Sequence, residues 1–211
     1  MTFILPERME KVGRDWAERE YASFLKQYQA LKPTVFDVYR PSTILDIGCN
    51  TAFLDLVLMQ HAGVKVFHLV DGDGRSRQKV KFAPSPVPWG DVTLGAELLH
   101  LNAPEDVAVF PWVIAPPSGA EVFNVTFNTP LDMIISTRSW GHHYPVETYL
   151  GMAQRCVRPG GILILDLRDL NGIMPMQVDT LRSAGFTPVL RLDDVSRMNK
   201  CKRWVFEKVP G

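Results

Sequence analysis

The sequence predicts an α/β protein with a doubly wound, mostly parallel sheet. Near-continuous apolar segments of strand length alternate with helical segments along most of the chain. Such strands are typical of a parallel sheet that helices cover on both faces. The chain closes on two successive segments with strand-like alternation, which predict a hairpin and therefore an antiparallel edge.

The first element predicted is an amphipathic helix over residues 7–31. Apolar residues recur there at steps of three or four with charges between them, and Pro33 follows. We expect this appendage, residues 1–33, to cover the sheet. A lid across a ligand crevice is the alternative.

The remaining elements follow from apolar runs and their bounding residues. Strands are predicted at 44–47, 64–70, 131–136, 161–167, 187–192 and 203–209, and helices at 53–60, 147–156 and 176–184. Residues 75–130 form a proline-rich insertion that holds a helix, a turn and a strand. We place the third strand of the sheet at 107–110, with 121–127 as the alternative.

Bulk composition favours one globular domain over residues 1–211. The chain has 46% hydrophobic residues, and its 23 Lys and Arg balance its 23 Asp and Glu. Such a balance gives no field that would attract a nucleic acid or a membrane, although a local basic patch stays open. Three widely spaced cysteines and the lack of a signal peptide or an 18-residue apolar run indicate a cytoplasmic protein.

The stretch "STILDIGCNTAF", residues 42–53, is the most informative part of the chain. Gly48 follows an apolar strand, but Asn50 and Ala52 stand where a dinucleotide fingerprint has further glycines, so a pyrophosphate loop is disfavoured. Asn50 tolerates a left-handed backbone, and Ala52 keeps the helix start small. Asp71, at the end of the second strand, is placed to accept hydrogen bonds from ribose hydroxyls, with Asp73 as the runner-up.

Four ordered motifs carry a family resemblance. "ILDIGCNTA" resembles the first motif of class I S-adenosylmethionine-dependent methyltransferases, and "LDMIIST", "VRPGGILILDLRD" and "LRSAGF" resemble their fourth strand, fifth strand and closing hairpin. The resemblance covers residues 42–209. It implies a seven-stranded sheet with an antiparallel last strand, an enzyme that uses S-adenosylmethionine, and these cofactor-binding residues: Asp46, Gly48, Cys49, Asn50, Thr51, Ala52, Asp71, Gly72 and Ser136.

The segment after the fourth strand, "STRSWGHHYP", is expected at the reaction centre, because ligands of open α/β sheets lie outside the carboxyl ends of the strands. His143 is the candidate general base for a hydroxyl acceptor and His142 is the second candidate. Either ring could instead pack beside the next helix. No metal site is predicted, since the five histidines lack metal-binding spacing.

The acceptor predicted is a hydroxyl of a small molecule or a sugar. Two alternatives remain open: a nucleotide, RNA or protein acceptor, and a non-catalytic partner subunit that binds S-adenosylmethionine. The altered loop at Asn50 and Ala52 motivates the second alternative.

Overall fold

The computed structural model describes residues 3–72, 90–114, 119–169, 171–193 and 201–210. The helices are α1 Glu7–Glu10, α2 Arg14–Leu31, α3 Asp37–Tyr39, α4 Phe53–His61, α5 Val92–Asn102, α6 Gly119–Thr126, α7 Glu147–Cys156 and α8 Met174–Ser183, with a π-helical turn Lys32–Phe36 before α3. The strands are β1 Thr43–Ile47, β2 Val66–Asp71, β3 Ala108–Val113, β4 Leu131–Ser136, β5 Val157–Arg168, β6 Phe186–Leu192 and β7 Cys201–Lys208.

These seven strands form one sheet in the order β3-β2-β1-β4-β5-β7-β6. The pairs β1–β4, β2–β3 and β4–β5 are parallel, whereas β7 runs antiparallel to both of its neighbours. The predicted α/β fold, with seven strands and an antiparallel last strand, is confirmed.

The chain divides into two compact units, which are described separately. The first comprises Met1–Ser42 and Cys49–Ala115, and the second comprises Thr43–Gly48 and Pro116–Gly211.

In the first unit, the predicted N-terminal helix differs from expectation in two ways. It is broken between α1 and α2 at Gly13, whose φ of 117° belongs to a conformation that favours glycine. It also does not end at Pro33, because the chain passes from α2 directly into the π-helical turn that contains Pro33. Proline lacks the N–H that an α-helix needs at such a position, and the helix changes its hydrogen-bond pattern there. The helical path ends instead at Arg40, with φ 45°.

Helix α2 packs on α4 through aromatic and hydroxyl contacts. The Tyr21 hydroxyl donates to Gln60 Oε1 at 2.6 Å, and the Tyr28 hydroxyl donates to the His61 carbonyl at 2.7 Å. Trp16 meets Phe53 edge to face with ring centroids 5.5 Å apart. In these contacts α2 packs on another helix, and the choice between a cover of the sheet and a lid stays a prediction.

The proline-rich segment contains regular elements of the fold. Strand β3 confirms the third strand predicted at 107–110 and extends it to Val113. The alternative strand at 121–127 is wrong, because α6 occupies most of that range. Phe123 and Phe127, four residues apart, are both buried with ring centroids 5.0 Å apart, so the apolar spacing there is helical.

The second unit is built around β5, whose residues from Gly161 to Leu167 are all buried. This matches the expectation of strands covered on both faces. Near its carboxyl end, Asp166 forms a buried two-pronged ion pair with Arg203 of β7, at 2.7 and 2.9 Å. The pair ties the parallel part of the sheet to its antiparallel hairpin.

Candidate functional site

The loop after β1 has a left-handed backbone at three alternate positions. The φ angles of Gly48, Asn50 and Ala52 are 82°, 53° and 55°. These are the positions at which the G-x-G-x-G pattern has glycine. The loop therefore keeps the backbone conformation that glycines favour, although a left-handed residue other than glycine costs about 1–2 kcal/mol and asparagine tolerates it best.

Asn50 explains why glycine is absent from the middle position. Its backbone N–H donates to Asp71 Oδ2 at 2.7 Å, and its side-chain Oδ1 accepts the Gly90 N–H at 2.9 Å. Glycine would allow the same backbone angle but could not accept from Gly90. The asparagine side chain thus links the loop to the start of α5.

Asp71 ends β2 as predicted and is half-buried. Its Oδ1 accepts the Gly72 N–H at 2.7 Å, so each carboxylate oxygen holds one backbone hydrogen bond. Burial raises the pKa of Asp71, opposed by the hydrogen bonds from Gly72 and Asn50. Because a carboxylate oxygen accepts two hydrogen bonds, each oxygen retains acceptor capacity for a ligand hydroxyl.

The other predicted residues of this loop shape its backbone. Cys49, Thr51 and Ala52 are buried, and the Cys49 N–H donates to the Val70 carbonyl at 3.3 Å. Ala52 packs closely on α5, because a Cβ added to Gly95 would lie 3.0 Å from the Cβ of Ala52. The runner-up Asp73 lies outside the described residues.

Sequence reasoning missed the role of Gly90 and Asp91. Asp91 is 2% exposed, caps α5 by accepting the Leu94 N–H at 3.1 Å, and binds the Arg8 guanidinium at 2.8 Å. These contacts fix the segment that holds Asn50. An aspartate directly before an apolar helical run is a recognised start signal, and it could have located the start of the helix predicted in this segment.

In the second unit, Gly48 and Ser136 have structural roles. A Cβ on Gly48 would lie 2.3 Å from Ser139 Cβ, so packing requires glycine there. The fully buried Ser136 hydroxyl donates to the Ile47 carbonyl at 2.6 Å and accepts the Trp140 N–H at 2.8 Å. Asp46, also predicted as a cofactor residue, is 1% exposed within β1.

The loop after β4, residues 137–146, is held by its own backbone. The Ser139 carbonyl accepts N–H groups from His142, His143 and Tyr144 at 2.8–3.2 Å. Buried Trp140 donates its indole N–H to the Val146 carbonyl at 2.8 Å. This arrangement fixes the two histidines side by side, with ring centroids 4.4 Å apart.

The two imidazoles have different surroundings. His142 is 9% exposed, and within the described part of the chain neither ring nitrogen has a hydrogen-bond partner. Burial, assisted by the nearby His143 and by the positive charge of Arg168, lowers the pKa of His142 to about 4. His143 is exposed, and partial desolvation followed by Arg168 lowers its pKa. Of the two residues, His143 is the one exposed to solvent.

A cavity of about 380 Å³ opens beside these rings. The loop residues 141–147 line it on one side, and Arg168 with residues of α8, among them Met176 and Gln177, lines it on the other. Its volume lies near the lower end of the range for small-molecule sites. The arrangement can hold a small polar ligand next to a neutral imidazole.

The described residues contain no cluster of side chains that could hold a metal ion. The three cysteines all lie among the described residues; they are buried and form no disulfide with one another. In the part of the chain that the structure describes, no helix has the length and apolar character needed to span a membrane.

Solved methyltransferases share this fold at low sequence identity. A methyltransferase from Pyrococcus furiosus is 16% identical with a TM-score of 0.57, over 89% of this chain and 83% of its own. The Burkholderia thailandensis 1,6-didemethyltoxoflavin-N1-methyltransferase, solved with S-adenosylhomocysteine, is 16% identical with a TM-score of 0.56, over 100% and 93%. Aeropyrum pernix fibrillarin, solved with natively bound S-adenosyl-L-methionine, is 13% identical with a TM-score of 0.54, over 78% and 66%.

No curated protein sequence gives a significant match to the chain. The family model described as a methyltransferase domain, however, matches residues 15–197. With the seven-stranded sheet and its antiparallel β7, this match shows that the chain belongs to the class I S-adenosylmethionine-dependent methyltransferase family.

Proposed function

We propose that this protein transfers a methyl group from S-adenosylmethionine to a hydroxyl of a small molecule or sugar, as a single domain acting in the cytoplasm. The observation that carries the proposal is the exposed, neutral His143 ring beside a cavity of about 380 Å³. A hydroxyl needs a base as it attacks, and a neutral imidazole is suited to that task near neutral pH.

The cofactor assignment rests on Asp71 and the loop that surrounds it. Its two carboxylate oxygens are held by the N–H groups of Asn50 and Gly72 and keep acceptor capacity for the two ribose hydroxyls. The left-handed Asn50 also weakens the reading of a degenerate, non-catalytic loop, because the backbone conformation survives without glycine.

S-adenosylmethionine supplies an electrophilic methyl group on a sulfonium. The protein's part is to orient the acceptor and to take its proton. A ring nitrogen of His143 would take the proton of the acceptor hydroxyl as the methyl group is transferred. His142 is the less suitable base, since both of its ring nitrogens are shielded from solvent.

The test is transfer of labelled methyl groups to a panel of hydroxylated small molecules and sugars, followed by the His143→Ala variant. We expect this variant to lower the rate by roughly 10²- to 10⁴-fold while cofactor affinity stays unchanged. The wild-type rate should rise with pH through a midpoint below pH 6.5, because the pKa of His143 is lowered from that value.

His100→Ala is the matched control, since His100 is exposed on α5. Full activity of His143→Ala would rule this residue out as the base. Cofactor binding without transfer to any hydroxyl would instead favour the partner-subunit alternative, and label in added RNA or protein would favour a macromolecular acceptor.

A further inference from the structure

Arg168 stands out among the arginines that the structure describes. Only two of them are shielded from solvent, the buried Arg203 and the half-buried Arg168. Arg203 is paired with Asp166, whereas the Arg168 guanidinium forms no hydrogen bond or ion pair with any described residue. A partly buried charge without a partner is costly, and it indicates a site that a ligand completes.

The backbone holds Arg168 at the wall of the cavity. It is the last residue of β5, and its N–H donates to the Gly141 carbonyl at 3.1 Å. Gly141 directly precedes the two histidines, and all four residues line the same cavity. The guanidinium is therefore anchored to the loop that carries the proposed base.

The charges around this cavity leave a positive centre at Arg168. Both imidazoles are neutral near pH 7, since the pKa of His142 is lowered to about 4 and that of His143 is lowered as well. The carboxylates nearby are otherwise engaged: Asp166 binds Arg203, and Asp169 accepts the Met174 N–H at 3.4 Å. Glu147, on the cavity rim, is exposed in the first turn of α7, where the helix N-terminus favours a negative charge.

We propose that Arg168 binds an anionic group of the methyl acceptor, a carboxylate or a phosphate, and so presents a hydroxyl of the same molecule to His143. The acceptor class is then a small hydroxylated anion, such as a hydroxy acid or a sugar phosphate. A guanidinium matches both groups because its parallel N–H donors bind two oxygens at once. The inference rests on the proposed function, since it assigns the acceptor to the cavity beside His143.

The experiment follows the His143 ring by NMR while anions are added to the full chain, and it needs no methyl transfer. The probes are inorganic phosphate, 4-hydroxybenzoate, and the neutral 4-hydroxybenzamide. In the wild type, a bound anion should raise the pKa of His143, because it offsets the positive charge of Arg168. If only phosphate raises the pKa of His143, the acceptor carries a phosphate. If only 4-hydroxybenzoate raises it, the acceptor carries a carboxylate.

Arg168→Gln should raise the pKa of His143 without ligand and weaken anion binding about tenfold or more. Arg168→Lys should keep the charge and part of the phosphate affinity. Arg138→Gln is the control, because Arg138 is an exposed arginine near the same loop whose charge lowers the pKa of His142 but is not a cause of the His143 shift. It should bind anions as the wild type does.

Equal anion affinity in the wild type and Arg168→Gln would overturn the inference. So would equal affinity for the amide and the acid, or a wild-type His143 that responds to neither anion. These failures are separable from failure of the proposed function. Methyl transfer to a neutral hydroxyl compound would leave the proposed function standing, whereas anion binding at Arg168 in a protein that transfers no methyl group would leave only this inference.

Discussion

The loops after β1 and after β4 are held in place in opposite ways. In the first, side chains fix the backbone: Asp71 and the amide of Asn50 bind N–H groups of the loop and its neighbours. In the second, the Ser139 carbonyl accepts hydrogen bonds from three backbone N–H groups, and the rings of His142 and His143 take no part in these hydrogen bonds. In the first loop the Asp71 carboxylate both holds the backbone and keeps acceptor capacity, whereas in the second loop backbone hydrogen bonds alone leave the imidazole rings out of that role.

The largest effect that tests this contrast is expected at Asp71. Asp71→Asn keeps the shape but turns one acceptor into an N–H₂ donor, which would face the N–H of Asn50 or Gly72. We expect S-adenosylmethionine affinity to fall at least tenfold, and up to about a thousandfold, by isothermal titration, which corresponds to about 1.4–4 kcal/mol. Asp106→Asn, at an exposed ion pair with Lys65, should leave affinity unchanged. Unaltered affinity in Asp71→Asn would remove this carboxylate from the cofactor site.

The second-largest effect concerns the contribution of His142 to the pH dependence of the free energy of unfolding. Its folded-state pKa of about 4 lies below its ordinary 6.5, so the unfolded chain binds the proton first. The contribution of His142 to stability is complete above pH 6.5 and is lost as pH falls toward 4, by on the order of 2 kcal/mol. Urea unfolding across this range should show a shallower pH dependence in His142→Phe than in the wild type.

His68 provides the matching measurement in the first unit. Burial lowers its pKa to about 4 as well, and its Nδ1 accepts the Trp112 indole N–H at 3.3 Å. His68→Phe should flatten the pH dependence in the same direction. The contrary outcome is that His142→Phe leaves the pH dependence of stability at its wild-type slope while His68→Phe flattens it. In that case the pKa of His142 is not lowered in the folded protein, and the contrast between the two loops fails.

The smallest effect compares one helical glycine from each unit. Gly95→Ala would place a Cβ 3.0 Å from Ala52 Cβ and 3.3 Å from the Asn50 carbonyl oxygen, so we expect a net destabilisation of about 1 kcal/mol despite the helix propensity of alanine. Gly151 in α7 is exposed and has no atom within 4 Å of an added Cβ, so Gly151→Ala should stabilise by about 0.5–1 kcal/mol. Thermal unfolding distinguishes the signs, and stabilisation by both substitutions would mean that the loop after β1 is not tightly packed on α5.

Much of the fold was readable from short-range patterns. The strands at 44–47 and 131–136 and the helix at 147–156 agree with β1, β4 and α7 to within one residue. Apolar continuity and turn residues are local signals, so a single sequence carries them. The segment at 121–127 was ambiguous because a short apolar run fits a strand and a helix equally well, and only the packing of Phe123 on Phe127 separates the two.

The candidate site was readable only in part. Asp71 and the left-handed Asn50 followed from motif position and from the conformational tolerance of asparagine. The burial of the His142 ring nitrogens gives a physical reason to prefer His143, and the spacing of residues in the sequence does not reveal it. Arg168 was missed because it lies in a strand 25 positions beyond His143 and gives no motif of its own.

By itself, the sequence determined most of the strands and helices, their order along the chain and the family, because these depend on local periodicity and on motifs that keep their order. Only the tertiary structure decided that the Asn50 side chain accepts a hydrogen bond from Gly90 and that the Ser136 hydroxyl donates to the Ile47 carbonyl. It also decided that the Arg168 guanidinium has no partner among the described residues. The physical reason is that hydrogen bonding and desolvation depend on which atoms are in contact in the folded protein. Contacts between residues far apart in the chain cannot be read from a single sequence.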